Sequence, residues 1–147
     1  MITIVTKAFN ELTLDELYGL LKLRSGVFVV EQDCVYQDID EKDKKSIHVL
    51  GLKNGEIIAY ARIFKPGDYF NEAAIGRVVV DIKYRGLGYA NDIMKASIKS
   101  VQERFNETVM RVSAQTYLKN FYDNLGFKQV GKEYLEDGIP HIAMIKS

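Results

Sequence analysis

The segment "VVVDIKYRGLGYAN", Val78 to Asn91, decides the predicted fold, because it joins a buried strand to an amphipathic helix. Its three consecutive valines are typical of a strand that is covered on both faces. Apolar residues then recur at spacings of three and four, which predicts a helix from about Leu87 to Arg104. Gly86 and Gly88 lie at the junction, where glycine lets backbone N–H groups approach an anion. The segment therefore predicts a strand–loop–helix unit with an anion site.

The neighbouring segments alternate in an order that predicts an α+β fold. A hairpin signal, Asn54-Gly55, precedes the valine strand "AAIGRVVVD", and a second turn, Asp137-Gly138, joins the last two strands. The central strand–helix–strand unit forces one parallel pair into a mixed, mostly antiparallel sheet flanked by helices. The first elements predicted are a strand, Met1–Ala8, and a helix from the Thr13–Glu16 capping box to about Phe28. Three strands follow, "IHVLGL", "EIIAYARIF" and "AAIGRVVVD", and then the helix Leu87–Arg104. The strand "TVMRVSA", the helix "QTYLKNFYDNLGF" and two closing strands complete the order.

A polar segment from Glu31 to Ser46 separates the first helix from the hairpin. Its irregular, acidic sequence predicts a surface loop with a short helical turn. Two interpretations of its carboxylates stay open, a solvated loop and a rim that attracts a cationic amine. The acidic residues are Asp33, Asp38, Asp40, Glu41 and Asp43, and the lysines expected to balance them are Lys42, Lys44 and Lys45.

Composition excludes several classes of protein. A chain of 147 residues predicts one domain, residues 1–147, with its own core. Twenty basic and twenty acidic residues cancel, which argues against a nucleic-acid partner. No apolar run reaches the ~20 residues of a membrane span, and the first residues do not resemble a signal peptide. A single cysteine, Cys34, favours a cytoplasmic protein, and two histidines without ligand spacing predict no metal site.

The loop Arg85–Ala90 offers chemistry suited to a pyrophosphate. Free N–H groups in the first turn of a helix and the helix macrodipole favour an anion there, and Arg85 can bind phosphate in two places. Three interpretations remain: a turn that only tightens strand–helix packing, a dinucleotide site, and an acyl-coenzyme A site. The dinucleotide fingerprint lacks its third glycine, because Asn91 stands there. No Lys-Ser/Thr pair follows, which excludes a P-loop.

Two linked motifs resemble the GCN5-related N-acetyltransferase (GNAT) superfamily. Arg85, Gly88 and Ala90 match its pattern Gln/Arg-x-x-Gly-x-Gly/Ala, and "NFYDNLGF", Asn120 to Phe127, is similar to its second motif. The stretches "LLKLRSGVFVVEQDCVYQDIDEKD" and "EYLEDGIPHIAM" are similar to the ElaA-like subfamily of these acetyltransferases. The similarity thus extends over most of the chain. The stretch "LRSGVFVVEQ" also resembles acyl-homoserine-lactone synthases, which share the fold.

The resemblance implies an acetyl-CoA-dependent N-acetyltransferase in which a primary amine attacks the thioester directly in a ternary complex. It implies strands that splay apart at the coenzyme, and a homodimer is common in the family. The backbone N–H of Val79 or a neighbour is expected to stabilise the oxyanion. The coenzyme-binding residues implied are Val78, Val79, Val80, Arg85, Gly86, Leu87, Gly88, Tyr89, Ala90 and Asn120.

The resemblance also implies catalytic residues. Tyr122 matches the family's usual general acid, since a phenol with a pKa of about 10 is protonated at neutral pH. The alternative for Tyr122 is simple packing in its helix. Glu31 and His141 are the candidate general bases, and a water relay without a dedicated base is the alternative. Two other functions stay open, a non-catalytic acyl-CoA sensor and an enzyme resembling acyl-homoserine-lactone synthases. The sequence does not name the acceptor amine.

Overall fold

The computed structural model describes residues 2–147, so Met1, the first residue of the predicted first strand, lies outside the described residues. None of the helices in this range is both long enough and apolar enough to cross a membrane. The strands are β1 Thr3–Ala8, β2 Ile47–Lys53, β3 Glu56–Phe64, β4 Ala73–Val80, β5 Met110–Gln115, β6 Lys128–Glu136 and β7 Ile139–Lys146, and the α-helices are α1 Leu14–Arg24, α2 Tyr89–Phe105 and α3 Lys119–Asp123.

Residues 2–147 form one seven-stranded sheet in the order β1-β2-β3-β4-β5-β7-β6. Strands β4 and β5 run parallel, and the other neighbours run antiparallel. The parallel pair follows from the helix between them, because a crossover connection returns the chain in the same direction. The predicted mixed sheet and element order are confirmed.

Helices cover both faces of the sheet. Residues opposite one another on neighbouring strands share a face, so Leu50, Tyr60 and Val79 lie together beneath Leu20 and Leu23 of α1. The alternate positions face the other way and pack against α2 and α3. The larger core there includes Val49, Ala61, Val80, Ile93, Met94 and Phe127. Val79 and Val80 at the end of β4 are therefore buried on opposite faces of the sheet, as the valine run predicts, whereas Val78 is only partly buried.

The first helix is longer and less regular than predicted. The capping box is confirmed, since Thr13 Oγ1 accepts from Glu16 N and Glu16 Oε1 accepts from Thr13 N. After Arg24 the helix continues as a π-helix from Ser25 to Glu31, which ends three residues beyond the predicted Phe28. The widened turn lies against the cleft described below, and π-helical turns are frequent at functional sites.

The third helix is shorter than predicted. The prediction of one helix across residues 115–127 is wrong, because a 3-10 turn, Thr116–Leu118, precedes a five-residue α-helix. Gly126 follows it with φ 94°, a left-handed conformation that suits glycine at a helix end.

Three carboxylates of the acidic segment are held in the protein by ion pairs with buried arginines, so the solvated interpretation is wrong for Asp38, Asp40 and Asp43. It holds for Glu41, which is exposed and pairs with Lys44 at 2.9 Å. Asp38 is only 6% exposed and accepts from Arg24 Nε at 2.9 Å. Asp43 accepts from both Arg24 and Arg62, at 2.7 and 2.9 Å. Asp40 pairs with Arg62 at 2.6 Å. Two arginines buried on α1 and β3 require neighbouring carboxylates, and the segment folds inward to supply them.

The same network surrounds His48. Its Nδ1 lies 2.6 Å from the Tyr60 hydroxyl, and its Nε2 lies 2.9 Å from the Asp43 carbonyl. Burial lowers the pKa of His48 because a charged imidazole is poorly solvated there. His48 is therefore a packed strand residue.

Candidate active site

The sheet opens between β4 and β5, where the sequence resemblance predicts splayed strands. Within residues 2–147 these strands pair only at Ala73–Met110 and Ala74–Arg111. Beyond Ala74 they diverge, which confirms the predicted splay. A β-bulge increases the bend of β4, because Arg77, with φ 50°, and Val78 both lie opposite Ala61 of β3.

A cleft of about 620 Å³ lies in this opening. We call it the large cleft. Among the predicted coenzyme-binding residues, Leu87 and Asn120 do not line it; Leu87 is 60% exposed, and Asn124 lies at the cleft instead of Asn120. Sequence reasoning also missed Tyr84, Asn91, Gln115 and Tyr117. The predicted residues that line the large cleft are Val78, Val79, Val80, Arg85, Gly86, Gly88, Tyr89, Ala90, Tyr122 and Glu31.

The loop before α2 presents its backbone to the large cleft. Gly86 and Gly88 have φ of 78° and 83°, in the left-handed region that glycine adopts without strain. A Cβ atom built on either glycine would meet no atom of residues 2–147 within 4 Å, so the space above them is open. Gly88 is the N-cap of α2 and has no side chain to bond the N–H groups of the first turn. Free N–H donors and the positive end of the helix favour a negative charge at this position, and the anion site itself stays a prediction.

Arg85 lies across the large cleft in a salt bridge. Its Nε donates to the Val80 carbonyl at 3.0 Å, and its Nη1 and Nη2 donate to the two carboxylate oxygens of Glu31 at 2.6 and 2.8 Å. The hydrogen bonds from Arg85 lower the pKa of Glu31. Glu31 is therefore ionised and paired, and a phosphate that binds Arg85 must compete with it.

Tyr122 lies where the large cleft narrows between the strands. It is 6% exposed, and its ring makes edge-on contacts with Phe121 and Phe127 at centroid distances of 5.1 and 5.9 Å. Burial raises the pKa of Tyr122, so the phenol is protonated at neutral pH. The ring packs in the core, as one interpretation expects, and the residue also lines the large cleft, so its role as general acid stays a prediction.

A second, smaller cavity of about 120 Å³ adjoins the large cleft. We call it the small cavity. Six residues line both spaces, among them Val78 of β4 and Tyr122 of α3, so the two spaces lie side by side. Cys34 also lines the small cavity, and its Sγ lies 3.4 Å from the Asp137 carbonyl. The aromatic residues that line the small cavity are Phe28, Tyr36, Phe64, Tyr69, Phe70 and Tyr122.

His141 lies in the small cavity with a defined tautomer. Its Nδ1 lies 2.7 Å from the Ile139 carbonyl, which can only accept, so Nδ1 carries the proton in the neutral ring. The lone pair of Nε2 is then available, and Nε2 lies 3.5 Å from Glu136 Oε2. Sequence reasoning missed Glu136. The alternation of the last hairpin could have indicated it, because Tyr134 and His141 are paired and Glu136 lies two residues along the same strand.

Comparison with known proteins explains this geometry. The sequence profile of the acetyltransferase (GNAT) domain matches residues 21–147. The chain belongs to the GNAT acetyltransferase family. Protein ElaA of Escherichia coli strain K12 is 43% identical over 139 residues, which cover 93% of this chain and 91% of that protein. The GNAT and ElaA-like resemblance is thereby confirmed.

Solved GNAT structures match the fold closely. The crystal structure of an acyl-CoA N-acyltransferase from Pseudomonas aeruginosa has a TM-score of 0.95 and is 37% identical over the whole of both chains. The crystal structure of Escherichia coli ElaA has a TM-score of 0.93 at 41% identity, again over the whole of both chains. The AHL synthase LasI has a TM-score of 0.78 over 99% of this chain and 89% of that chain. At 14% identity, its likeness shows the shared fold alone.

Proposed function

We propose that this GNAT chain, acting as one domain over residues 1–147, is an acetyl-CoA-dependent N-acyltransferase that acetylates a primary amine by direct attack in a ternary complex. One observation carries the proposal: the large cleft, with its anion site, meets the small cavity, with its histidine, at Val78 and Tyr122. An acyl donor and an acceptor that enter from opposite sides would be brought together there.

The residues of the large cleft fit coenzyme A. Gly86 and Gly88 leave open space at the N-terminus of α2, and a polyanion such as pyrophosphate suits both the donors and Arg85. The apolar wall made by Val78 and its neighbours on β4 suits the pantetheine arm. When bound, the coenzyme would supply the acyl group as a thioester.

Three groups of the chain would promote the transfer. His141 Nε2 has the free lone pair that can accept the proton of the acceptor ammonium. A backbone N–H of the β4 bulge, from Val78 or Val79, would stabilise the oxyanion. Tyr122 would donate a proton to the departing sulfur, since its buried phenol is protonated. We assign Glu31 to Arg85 rather than to proton abstraction, because the salt bridge lowers its pKa.

Two other functions make different predictions. A non-catalytic acyl-CoA sensor would bind the coenzyme without releasing thiol. An enzyme resembling AHL synthases would produce a lactone, and the structural likeness to LasI concerns the fold alone. The meeting of two cavities at a protonated tyrosine favours transfer to an amine. The homodimer and the cytoplasmic location stay predictions.

The first test is the melting temperature of the protein with and without acetyl-CoA. A ligand at about 100 times its dissociation constant stabilises the native state by about 2.7 kcal/mol, a shift of several degrees for a chain of this size. We expect the shift with acetyl-CoA and with free coenzyme A, and no shift with NAD. Thiol release in the presence of primary amines would then separate a transferase from a sensor. The absence of any shift with coenzyme A would contradict the proposed function.

A further inference from the structure

We propose that Glu136 and His141 together bind the ammonium group of the acceptor, and that this acceptor is a compact primary amine without a carboxylate. The inference rests on the proposed function and deepens it. Neither residue belongs to the coenzyme loop or to the two GNAT motifs, and both lie in the stretch "EYLEDGIPHIAM" that resembles the ElaA-like subfamily. The argument comes from the strand register, the direction of the hydrogen bonds and the charge of the small cavity.

The register of three strands gathers the polar residues on one face. His141 of β7 lies opposite Gln115 of β5 on one side and Tyr134 of β6 on the other. Ser113 and Glu136 are two residues from these partners along their strands, so they share the same face. Four strand positions around His141 therefore direct polar side chains into one patch.

The hydrogen bonds of this patch run in one direction. An ionised Glu136 can only accept, so Ser113 Oγ, at 3.2 Å from Oε1, is the donor. Ser113 Oγ then accepts from the Tyr134 hydroxyl. This series of hydrogen bonds fixes the Glu136 carboxylate and directs its other oxygen, Oε2, toward His141. Tyr134 also stacks on the His141 ring at a centroid distance of 6.2 Å.

Two acceptors thus converge on one point. When the His141 ring is neutral, its Nε2 presents a lone pair 3.5 Å from Glu136 Oε2, and both atoms can accept from one donor group. A primary ammonium has three N–H donors and can bond to both. Transfer of one ammonium proton to Nε2 leaves the neutral amine, with its lone pair free to attack, and an imidazolium paired with Glu136. The side chain of Glu136 is 41% exposed, so the proton that His141 has accepted can pass by way of Glu136 to solvent afterwards.

The charges around the small cavity favour a cation. Its two arginines, Arg62 and Arg77, are already paired with Asp38, Asp40 and Asp43. In the part of the chain that the structure describes, no lysine or arginine pairs with Glu136. Its ionic partner among residues 2–147 is His141, which carries a charge only when it takes up a proton, so a carboxylate on the acceptor would be repelled by Glu136. The volume of about 120 Å³ and the aromatic wall suit a short apolar body.

Calorimetric titration of three matched compounds tests the inference. Benzylamine has the proposed ammonium, benzyl alcohol is its neutral counterpart, and phenylglycine adds a carboxylate. We expect protein saturated with coenzyme A to bind benzylamine about tenfold or more tightly than benzyl alcohol, as charged hydrogen bonds provide. Phenylglycine should bind no better than benzyl alcohol. Equal binding of benzylamine and phenylglycine, or no binding of benzylamine, would overturn the inference.

A pair of variants assigns the effect to one carboxylate. Glu136→Gln should lose the preference for benzylamine over benzyl alcohol while it keeps its affinity for coenzyme A. Glu133→Gln is the control, because Glu133 is exposed on the same strand. If Glu136→Gln does not fold, Ser113→Ala keeps the carboxylate, removes its donor and the acceptor of the Tyr134 hydroxyl, and should weaken the preference. An unchanged preference in the folded variant would refute the role of Glu136.

The design separates this inference from the proposed function. If coenzyme A binds and the Glu136 variant keeps its preference for the amine, the acyl-CoA site stands and the acceptor site is wrong. If coenzyme A does not bind, the proposed function fails. Titration of benzylamine into the unliganded protein then still decides whether Glu136 holds an ammonium.

Discussion

Gly88→Ala would test two contributions of Gly88 separately. The left-handed backbone conformation of Gly88 affects the stability of the fold, and the open space above it affects the binding of coenzyme A. Gly88 has φ 83°, so an alanine there would be strained by about 1–2 kcal/mol. The added methyl meets no atom of residues 2–147 within 4 Å, so no steric cost is added in the unliganded protein. We expect a melting temperature that is lower by several degrees and an otherwise intact fold.

The effect on coenzyme A should be larger than the effect on folding. The new Cβ would project into the space where the pyrophosphate approaches the backbone. If it raises the dissociation constant a hundredfold, a ligand at about 100 times the original constant stabilises by only about 0.4 kcal/mol instead of about 2.7. The rise in melting temperature with coenzyme A, measured by differential scanning calorimetry, would then almost vanish.

Gly67→Ala is the matched control for this experiment. Gly67 has φ 91° in the turn after β3, its Cβ would also meet no atom of the described residues within 4 Å, and it lines neither the large cleft nor the small cavity. It should lose similar stability and keep the full response to coenzyme A. If Gly88→Ala also kept the full response, the loop would not be the pyrophosphate site.

Three further predictions concern side chains. Tyr122→Phe should lower kcat by about 10²- to 10⁴-fold without loss of coenzyme affinity. Tyr18→Phe, at an exposed position of α1 outside both cavities, should behave as the parent, and parental kcat in Tyr122→Phe would exclude the acid role. Glu31→Gln should release Arg85 from its salt bridge and lower the dissociation constant of coenzyme A, measured by calorimetry, by up to about fivefold. This factor corresponds to the strength of an exposed ion pair. A loss of kcat with unchanged affinity would instead make Glu31 the base. Burial lowers the pKa of His48 in the folded state, so the unfolded state takes up the proton first, and the melting temperature should fall as the pH drops below about 6.5. His48→Gln should reduce this dependence of the melting temperature on pH, and an unchanged dependence in the variant would contradict the reasoning.

Most of the fold could be predicted because its signals are local. The Thr13–Glu16 capping box, the Asn54-Gly55 turn and the Asp137-Gly138 turn each act within four residues. Alternation and helical spacing then assign the elements between them. The glycine loop could be found for the same reason, since Gly86 and Gly88 are close in sequence and determine the backbone directly.

The acidic segment could not be predicted because its partners are distant. Asp38 pairs with Arg24, 14 residues away, and with Arg77, 39 residues away. Charged residues are usually exposed, so nothing in the sequence marks Arg24 as buried. The solvated interpretation therefore assigned the balancing charge to the neighbouring lysines. This is correct for Glu41, which pairs with Lys44, whereas the three aspartates pair with arginines of α1, β3 and β4.

The polar residues of the small cavity depend on strand pairing in the same way. Ser113 and Glu136 are 23 residues apart, and they meet because β5 and β6 both pair with β7. His141 could be selected from its chemistry alone, while Glu136 and Ser113 become recognisable only when the register is known. The β-bulge at Arg77 likewise has no sequence signal, because neither residue of the bulge is glycine.

The products formed from acetyl-CoA and primary amines such as benzylamine test the central claim most directly. We predict by mass spectrometry one N-acetylated amine for each coenzyme A thiol released, with both products lost together in Tyr122→Phe. Thiol release without an acetylated amine, or coenzyme binding without thiol release, would contradict the account.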